Sequence, residues 1–352
     1  MELDAPANLS DGRLKAMRET ILRRRYLIAS SAALAALTFP IAVAAQEAPW
    51  PNRPITIMGG FPNGAGTDIY ARKLAEPLSK ALGVPVVVDN RTGAGGNIAS
   101  EYVARARPDG YTFLFGTAGT HAINASLYSP LPFDPLRDVT HIALLGDVPN
   151  VLLVSPQHSP TIRTCQDLIA AAKAKPGTLA YASTGNGAST HLAGVQFSLA
   201  AGTDALHVPY RGQGPAMISL LRGETAFFLN QSGPSIGAVG QGQARALAVT
   251  TRQRLAALPD VPTVEEACGL PGFEMTSWYG MFAPPGLPGP IQQRMAQEVA
   301  RIIATPDFVA WLSGNQGIAP PADPSPAAFR QVHERDIARW GEIVRRSGAR
   351  VD

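Results

Sequence analysis

A chain of 352 residues that is 45% hydrophobic and 16% charged can build one large or two ordinary cores. It holds no polar low-complexity tract, so the body of the chain should fold. Lys and Arg number 30 against 27 Asp and Glu, and after the first 45 residues the balance is 24 to 23, which gives nucleic-acid binding no support.

The N-terminus reads as a targeting segment. Arg23-Arg24-Arg25 precede the apolar run YLIASSAALAALTFPIAVAA, which closes on Val43-Ala44-Ala45. A charged region, an apolar region and a small-residue cleavage site describe a secretory signal over residues 1–45, with a loose fit to a twin-arginine signal. A membrane anchor is the alternative, but no positive flank follows the run. Met17 is a second candidate start. Export makes a bond between the two cysteines, Cys165 and Cys268, chemically possible, and two buried thiols fit equally well. The cysteines are too few for a zinc site, and the six histidines lack ligand spacing, so no metal or cofactor is expected.

From Pro51 onward strands and helices alternate. Strands are expected at 55–61, 84–88 and 111–115, with helices at 68–82 and 97–107 between them. Ile69, Leu74 and Leu78 supply the helical spacing of the first, and Pro108-Asp109-Gly110 is a turn before the third strand. After the linker Leu131–Pro135 the pattern resumes. Two separate strands, 142–145 and 151–154, precede helix 165–174, strand 178–182, helix 189–201 and strand 205–209. Helix 215–221 and strands 225–229 and 244–250 follow, then an extended run at 273–283 and helices at 291–303 and 326–347. Alternation of this kind implies α/β architecture with parallel strands covered by helices.

Glycine-rich turns punctuate the ends of these strands. GGFPNGAGTDIYAR (59–72) leads from strand to helix, so orphan N–H groups and the helix dipole favour an anion there. It is not a phosphate loop, because Ala65 stands where lysine would be required. The plainer reading is that Thr67 or Asp68 caps the helix. RTGAGGNIAS (91–100) is a second such turn, with Asn97 as its cap in the plainer reading. In GTAGTHAIN (116–124), Thr117 and Thr120 are candidate hydroxyl donors, and His121 fits a structural role equally. STGNGASTHLAG (183–194) exposes amides at Gly185, Asn186 and Gly187, with Ser189 or Thr190 as cap. Ser189 and His191 invite a hydrolase reading, but there is no G-x-S-x-G elbow and no identifiable acid.

These stretches, with WPNRPITI (50–57), VVVDNRTGAGGNIASEYVARARPDGYTFLFGT (86–117), HVPYRGQGPAM (207–217), LPDVPTVEEA (258–267) and LPGFEMTSWYGMFAP (270–284), carry a resemblance through nearly the whole exported chain. The sequence resembles the extracytoplasmic solute receptors of the tripartite tricarboxylate transporter family, the Bug receptors. The resemblance implies a type II-like periplasmic binding protein fold of two α/β lobes joined by crossing hinge strands. Lobe 1 would comprise 49–147 plus 274–352, and lobe 2 148–273. It implies a non-enzymatic monomer in the periplasm that takes a small, carboxylate-bearing solute in the inter-lobe cleft and presents it to the membrane subunits of a carrier. A periplasmic sensor feeding a kinase is the alternative, and an exported hydrolase a distant third. The ligand contacts it implies are Phe61, Asn63, Gly64, Ala65, Thr67, Asp68, Thr117, Thr120, Gly185, Gly187, Ser189, Thr190, His191, Tyr210 and Asn230. Two departures stand out. Asn63, Gly64 and Ala65 replace the family's proline and paired glycines, and Asn230 replaces an acidic residue, which favours a ligand without a positive group. Arg211 is a candidate carboxylate partner, and Trp278 and Tyr279 read as hinge and core.

Overall fold

The computed structural model describes residues 49–349; the targeting segment expected at 1–45 lies outside the described residues. Strands β1 (Ile55–Gly59), β2 (Val86–Asn90) and β3 (Thr112–Thr117) pair in parallel, with β1 central. Helix α1 (Gly66–Leu82) follows β1 and buries Tyr70, Leu74 and Leu78, and it ends where Gly83 takes the left-handed conformation and donates to Ser79 O. Burying such side chains contributes about 1.5–3 kcal/mol each. Helix α2 (Asn97–Ala104) and a π-turn at Gly119–Ile123 running into α3 (Asn124–Leu127) complete this half.

The second half has parallel strands β5 (Ala180–Ser183), β6 (Leu206–Pro209) and β7 (Phe227–Gln231), with β5 central. Around them lie α4 (Cys165–Ala174), α5 (Ser189–Ala201), α6 (Gln213–Leu221), α7 (Ser232–Gly240), β8 (Arg245–Val249) and α8 (Val264–Cys268). A disulfide joins Cys165 at the start of α4 to Cys268 at the end of α8, with 5.2 Å between their Cα atoms.

Two long antiparallel strands cross between the halves. The expected pair of strands at 142–145 and 151–154 is one 15-residue strand, β4 (Thr140–Val154). Its first part pairs with β9 (Thr276–Ala283), from Thr140 opposite Ala283 to Pro149 opposite Thr276. Its last part, from Asn150, pairs with β7 and β8. Gly146 and Pro149 suggest a break; the strand instead runs through both, irregular at Gly146, where φ is 136° and the register shifts, and in register at Pro149, opposite Thr276. The sheet is therefore mixed, not parallel throughout: β3, β9 and β4 are antiparallel neighbours.

The chain closes with α9 (Gly289–Ile303), α10 (Pro306–Trp311), a second π-turn at Leu312–Gln316 and α11 (Pro326–Ser347). Ser325 caps α11 by accepting from Ala328 N, and Pro326 opens it. Its buried stripe, Phe329, His333, Asp336, Trp340 and Val344, lies against β4, the first π-turn, α3 and α5, so this helix touches both halves. Among the described residues no helix is long and apolar enough to cross a membrane.

Candidate functional site

The glycine-rich turns gather at the C-terminal ends of the parallel strands, where open α/β sheets take ligands. In the first turn Ala65, not Thr67 or Asp68, is the N-cap of α1, and no side chain caps it. Ala65 N bonds Pro62 O, and the first helical closure is Ile69 N to Ala65 O. Among the described residues nothing accepts from the N–H groups of Gly66, Thr67 and Asp68. The Asp68 carboxylate accepts from Gly64 N (2.9 Å), Arg72 Nε (2.9 Å) and Asn90 Nδ2 (2.6 Å), and Asn90 Nδ2 also reaches Asn63 Oδ1 at 2.6 Å. Burial alone would raise its pKa, but the bonds from Arg72, Gly64 and Asn90 prevail and hold it below the usual carboxylate value. Asp68 thus shapes the turn. Thr67 is 7% exposed, and among the described residues nothing bonds its hydroxyl.

The second turn meets the first backbone to backbone. A Cβ on Gly60 would lie 2.9 Å from Gly96 Cα, so both positions require glycine, and the Phe61 ring lies over Gly96 beside Thr120. Gly96, not Asn97, is the N-cap of α2. After β3 the two threonines bond each other's backbone: Thr117 N to Thr120 Oγ1 at 3.1 Å and Thr120 N to Thr117 Oγ1 at 3.2 Å. Thr120 Oγ1 also sits 2.7 Å from His121 Nδ1. His121 is fully buried, stacked on Phe282, and its backbone oxygen lies 2.9 Å from His333 Nε2, whose Nδ1 lies 2.9 Å from His141 Nε2. Burial lowers the pKa of all three imidazoles, to about 3 for His141 and about 4 for His333. Among the described residues no group of three His, Cys, Asp or Glu is placed to hold a metal ion.

The opposing turn follows β5. Ala188 is the N-cap of α5, so neither Ser189 nor Thr190 fills that role. Thr190 Oγ1 instead accepts from Thr184 N at 3.0 Å and lies 2.9 Å from Thr184 Oγ1. Gly187 N donates to His191 Nδ1 at 3.0 Å, which fixes that ring as neutral with its proton on Nε2. His191 stacks on His207 with centroids 3.7 Å apart, and His207 Nε2 lies 2.6 Å from the buried Ser183 Oγ. Burial pushes both imidazoles down, to about 4 for His191 and about 3 for His207. Ser183 Oγ also accepts from Gly185 N at 3.2 Å, and Tyr210 N bonds Ser183 O. The half-buried Tyr210 ring packs on the apolar cluster that includes Val151, Leu153, Leu220 and Phe228, and Arg211 is exposed. Asn230 is fully buried and donates to Ser235 Oγ at 3.2 Å, and among the described residues its Oδ1 has no partner.

The two sets of turns approach each other. A Cβ on Gly187 would overlap the Leu127 side chain of α3, and one on Gly66 would lie 3.1 Å from Tyr279 Oη and 3.9 Å from both Gln231 Oε1 and Gln316 Oε1. Gln231 and Gln316, with Gln213 bonded to Gln231 at 2.8 Å, are absent from the contacts that the sequence suggests. Amides carry no motif, and only the closing of the sheet brings 213, 231, 279 and 316 together. The Tyr279 ring is buried as expected of a hinge residue, yet its hydroxyl reaches this group, 3.2 Å from Gln231 Oε1.

Two α/β lobes joined by crossing strands, with helix N-termini and small polar residues turned toward the junction, define a solute-binding protein. The chain belongs to the tripartite tricarboxylate transporter family of receptors, whose model matches residues 70–349. It is 37% identical over 295 residues to the UPF0065 protein in the tcbD-tcbE intergenic region of Pseudomonas sp. (strain P51), covering 84% of this chain and 86% of that one. Among solved structures it resembles R. palustris Rpa4515 with adipate, at 35% identity and TM-score 0.80 over 86% of this chain and 99% of that chain. It also resembles MatC (Rpa3494) from Rhodopseudomonas palustris with bound malate, at 32% identity and TM-score 0.76 over 84% and 100%.

Proposed function

We propose that this receptor captures a small carboxylate, an aliphatic dicarboxylate foremost, and delivers it to the membrane subunits of a tripartite carrier. The observation that carries the reading is the trio of open N–H groups at Gly66, Thr67 and Asp68 on the α1 terminus, in a receptor whose relatives were solved with adipate and malate. The first lobe, 49–147 plus 274–352, holds one end of the solute through residues 61–68. The second, 148–273, holds the other through 185–191, Tyr210 and Asn230. The protein works as a monomer in the periplasm after removal of residues 1–45. It performs no hydrolysis: His191 Nδ1 is committed to a backbone N–H, and the other serine–histidine pair involves a fully buried Ser183.

A thermal-shift panel of mono-, di- and tricarboxylates tests the reading, with mass spectrometry of solute released from the purified protein. A dicarboxylate should raise the melting temperature saturably, by linkage worth about 2.7 kcal/mol at a free concentration 100 times the dissociation constant. Stabilisation by uncharged sugars or amines alone would sink it.

A further inference from the structure

An apolar contact also joins the two lobes, where α3 of the first meets the turn after β5 of the second. A Cβ on Gly187 would overlap Leu127 Cδ2 and lie 2.8 Å from its Cγ and 3.0 Å from its Cδ1. The branched end of Leu127 therefore rests on bare backbone. Rotation about its Cβ–Cγ bond leaves Cγ in place, so it cannot clear room for a side chain at 187. Gly187 has φ 71°, and its N–H donates to His191 Nδ1 within the same turn. Leu127 is itself held firmly. It is 6% exposed and shares an apolar cluster with Leu192 and Ala193 of α5 and Trp340 of α11. Asn124, at the start of α3, donates through Nδ2 to Asn97 Oδ1 at 2.7 Å and to Gly95 O at 3.3 Å, which ties this short helix to the second turn of the first lobe. A continuous chain of contacts thus runs from Gly95 and Asn97 through Asn124 and Leu127 to Gly187 and His191.

We propose that Leu127 is a positioning residue that couples closure of the lobes to solute binding: seated on the Gly187 backbone, it holds the turn after β5 against the bound solute. This rests on the dicarboxylate-receptor reading above. Lobes that hinge about the crossing strands part at the turns, and the Leu127–Gly187 contact parts with them. A contact made in the closed form alone biases the receptor toward that form and so adds to affinity. It takes no part in the first encounter with solute. Its loss should therefore raise the rate of release and leave the rate of association unchanged.

Calorimetry and stopped-flow tryptophan fluorescence on the purified receptor test this, with adipate and malate as solutes. Wild type should bind at least one of them. Leu127→Ala should weaken that diacid by roughly tenfold, with the release rate raised and the association rate within about twofold of wild type. Gly187→Ala should weaken it by about thirtyfold or more, through the clash with Leu127 and through alanine held at positive φ. Adding Leu127→Ala to Gly187→Ala removes the clash and leaves the backbone strain, so the double variant should bind at least about threefold more tightly than Gly187→Ala. A leucine that only fills the core would give no such rescue. Leu127→Val, which lacks both Cδ atoms, replaces the alanine variant if that one does not fold. A folded Leu127 variant that binds the diacid within about threefold of wild type, or that loses affinity through slower association alone, overturns the role of Leu127 and leaves the receptor reading standing. So does a double variant no tighter than Gly187→Ala. A wild-type protein that binds neither diacid overturns both.

Discussion

The turn after β1 and the turn after β5 do the same job with different chemistry. Each brings open backbone amides to a helix start, Gly66–Asp68 on one side and, among the described residues, Asn186 and Ser189 on the other. The Gly185 and Gly187 amides expected to be open instead donate to Ser183 Oγ and His191 Nδ1. The first is shaped by one ionised carboxylate, Asp68, which gathers Gly64 N, Arg72 and Asn90 onto its two oxygens. The second is shaped by neutral groups alone: the Thr184–Thr190 pair, Ser183, and the stacked imidazoles of His191 and His207. A loop that presents N–H donors to an anion gains from a nearby group that does not compete for them. Asp68 meets that need by being saturated with donors of its own, and the histidines meet it by staying uncharged. The two solutions should therefore fail at different pH.

Acid gives the largest expected effect. Unfolded histidine titrates near 6.5, whereas His191 and His333 do so near 4 and His207 and His141 near 3 in the fold. The unfolded chain thus binds more protons between these values, and stability must fall as pH drops from 6.5 toward 4. Each imidazole contributes up to about 1.4 kcal/mol per pH unit in that window, so the slope from the stacked pair is at most about 3 kcal/mol per pH unit. Protonating His191 also removes the acceptor of Gly187 N, so ligand affinity should fall with stability. Urea unfolding at pH 7, 5.5 and 4.5 measures the slope, and a His191→Gln/His207→Gln variant should flatten it. A stability curve level from pH 6.5 to 4.5 would show that the histidines do not support the second turn as described.

Asp68→Asn comes next. It keeps the shape but loses the charge that draws Arg72, and it turns one acceptor into a donor facing Asn90 Nδ2 or Gly64 N. The expected cost is about 1–3 kcal/mol of stability, with weaker ligand binding because the turn loosens. Because the Asp68 pKa is lowered, its contribution is present above the ordinary carboxylate value and is lost only below it. The difference between Asp68→Asn and wild type should hold at pH 4.5, where the second turn is already weakened. A melting temperature within a degree of wild type at pH 7 would mean that Asp68 does not hold the turn.

Much of this was legible in residue order. The spacing of Ile69, Leu74 and Leu78, and the stripe from Phe329 to Val344, locate α1 and α11, because one buried face at helical period leaves a direct trace. In α1, however, Ile69 is exposed and Tyr70 fills the buried position beside Leu74 and Leu78. Helix α7, with three glycines and a proline in SGPSIGAVG, leaves no such trace and was not expected. Nor was β4 as a single strand, since glycine and proline within it read locally as a break, whereas pairing along β9 carries the chain through. At the site, the glycine-rich turns announce themselves because open backbone needs small residues. The groups that support them do not. Gln231 and Gln316 lie outside the quoted motifs, and His207, though it opens HVPYRGQGPAM, carries no mark of its stacking on His191; their roles come from strand order and from how the lobes meet.

The smallest effect tests the neutral turn without touching a charge. Thr190 is 1% exposed, and its Oγ1 serves both Thr184 N and Thr184 Oγ1. Valine has nearly the same outline and no oxygen, so Thr190→Val creates no cavity and isolates the hydrogen bonds. Both Thr184 groups are then left short of a partner, though water can reach them because Thr184 is half-buried. That places the cost near the net value of one bond, about 0.5–1.5 kcal/mol, and below that of Asp68→Asn. Thr184→Ala should cost about as much, and the double variant less than the sum, since each single change already breaks the shared bond. Neither threonine titrates, so the penalty should be the same at pH 7 and pH 5.5. A penalty that grows on acidification would mean that Thr190 acts through His191 beside it, and the hydroxyl pair would cease to be an independent support of the second turn.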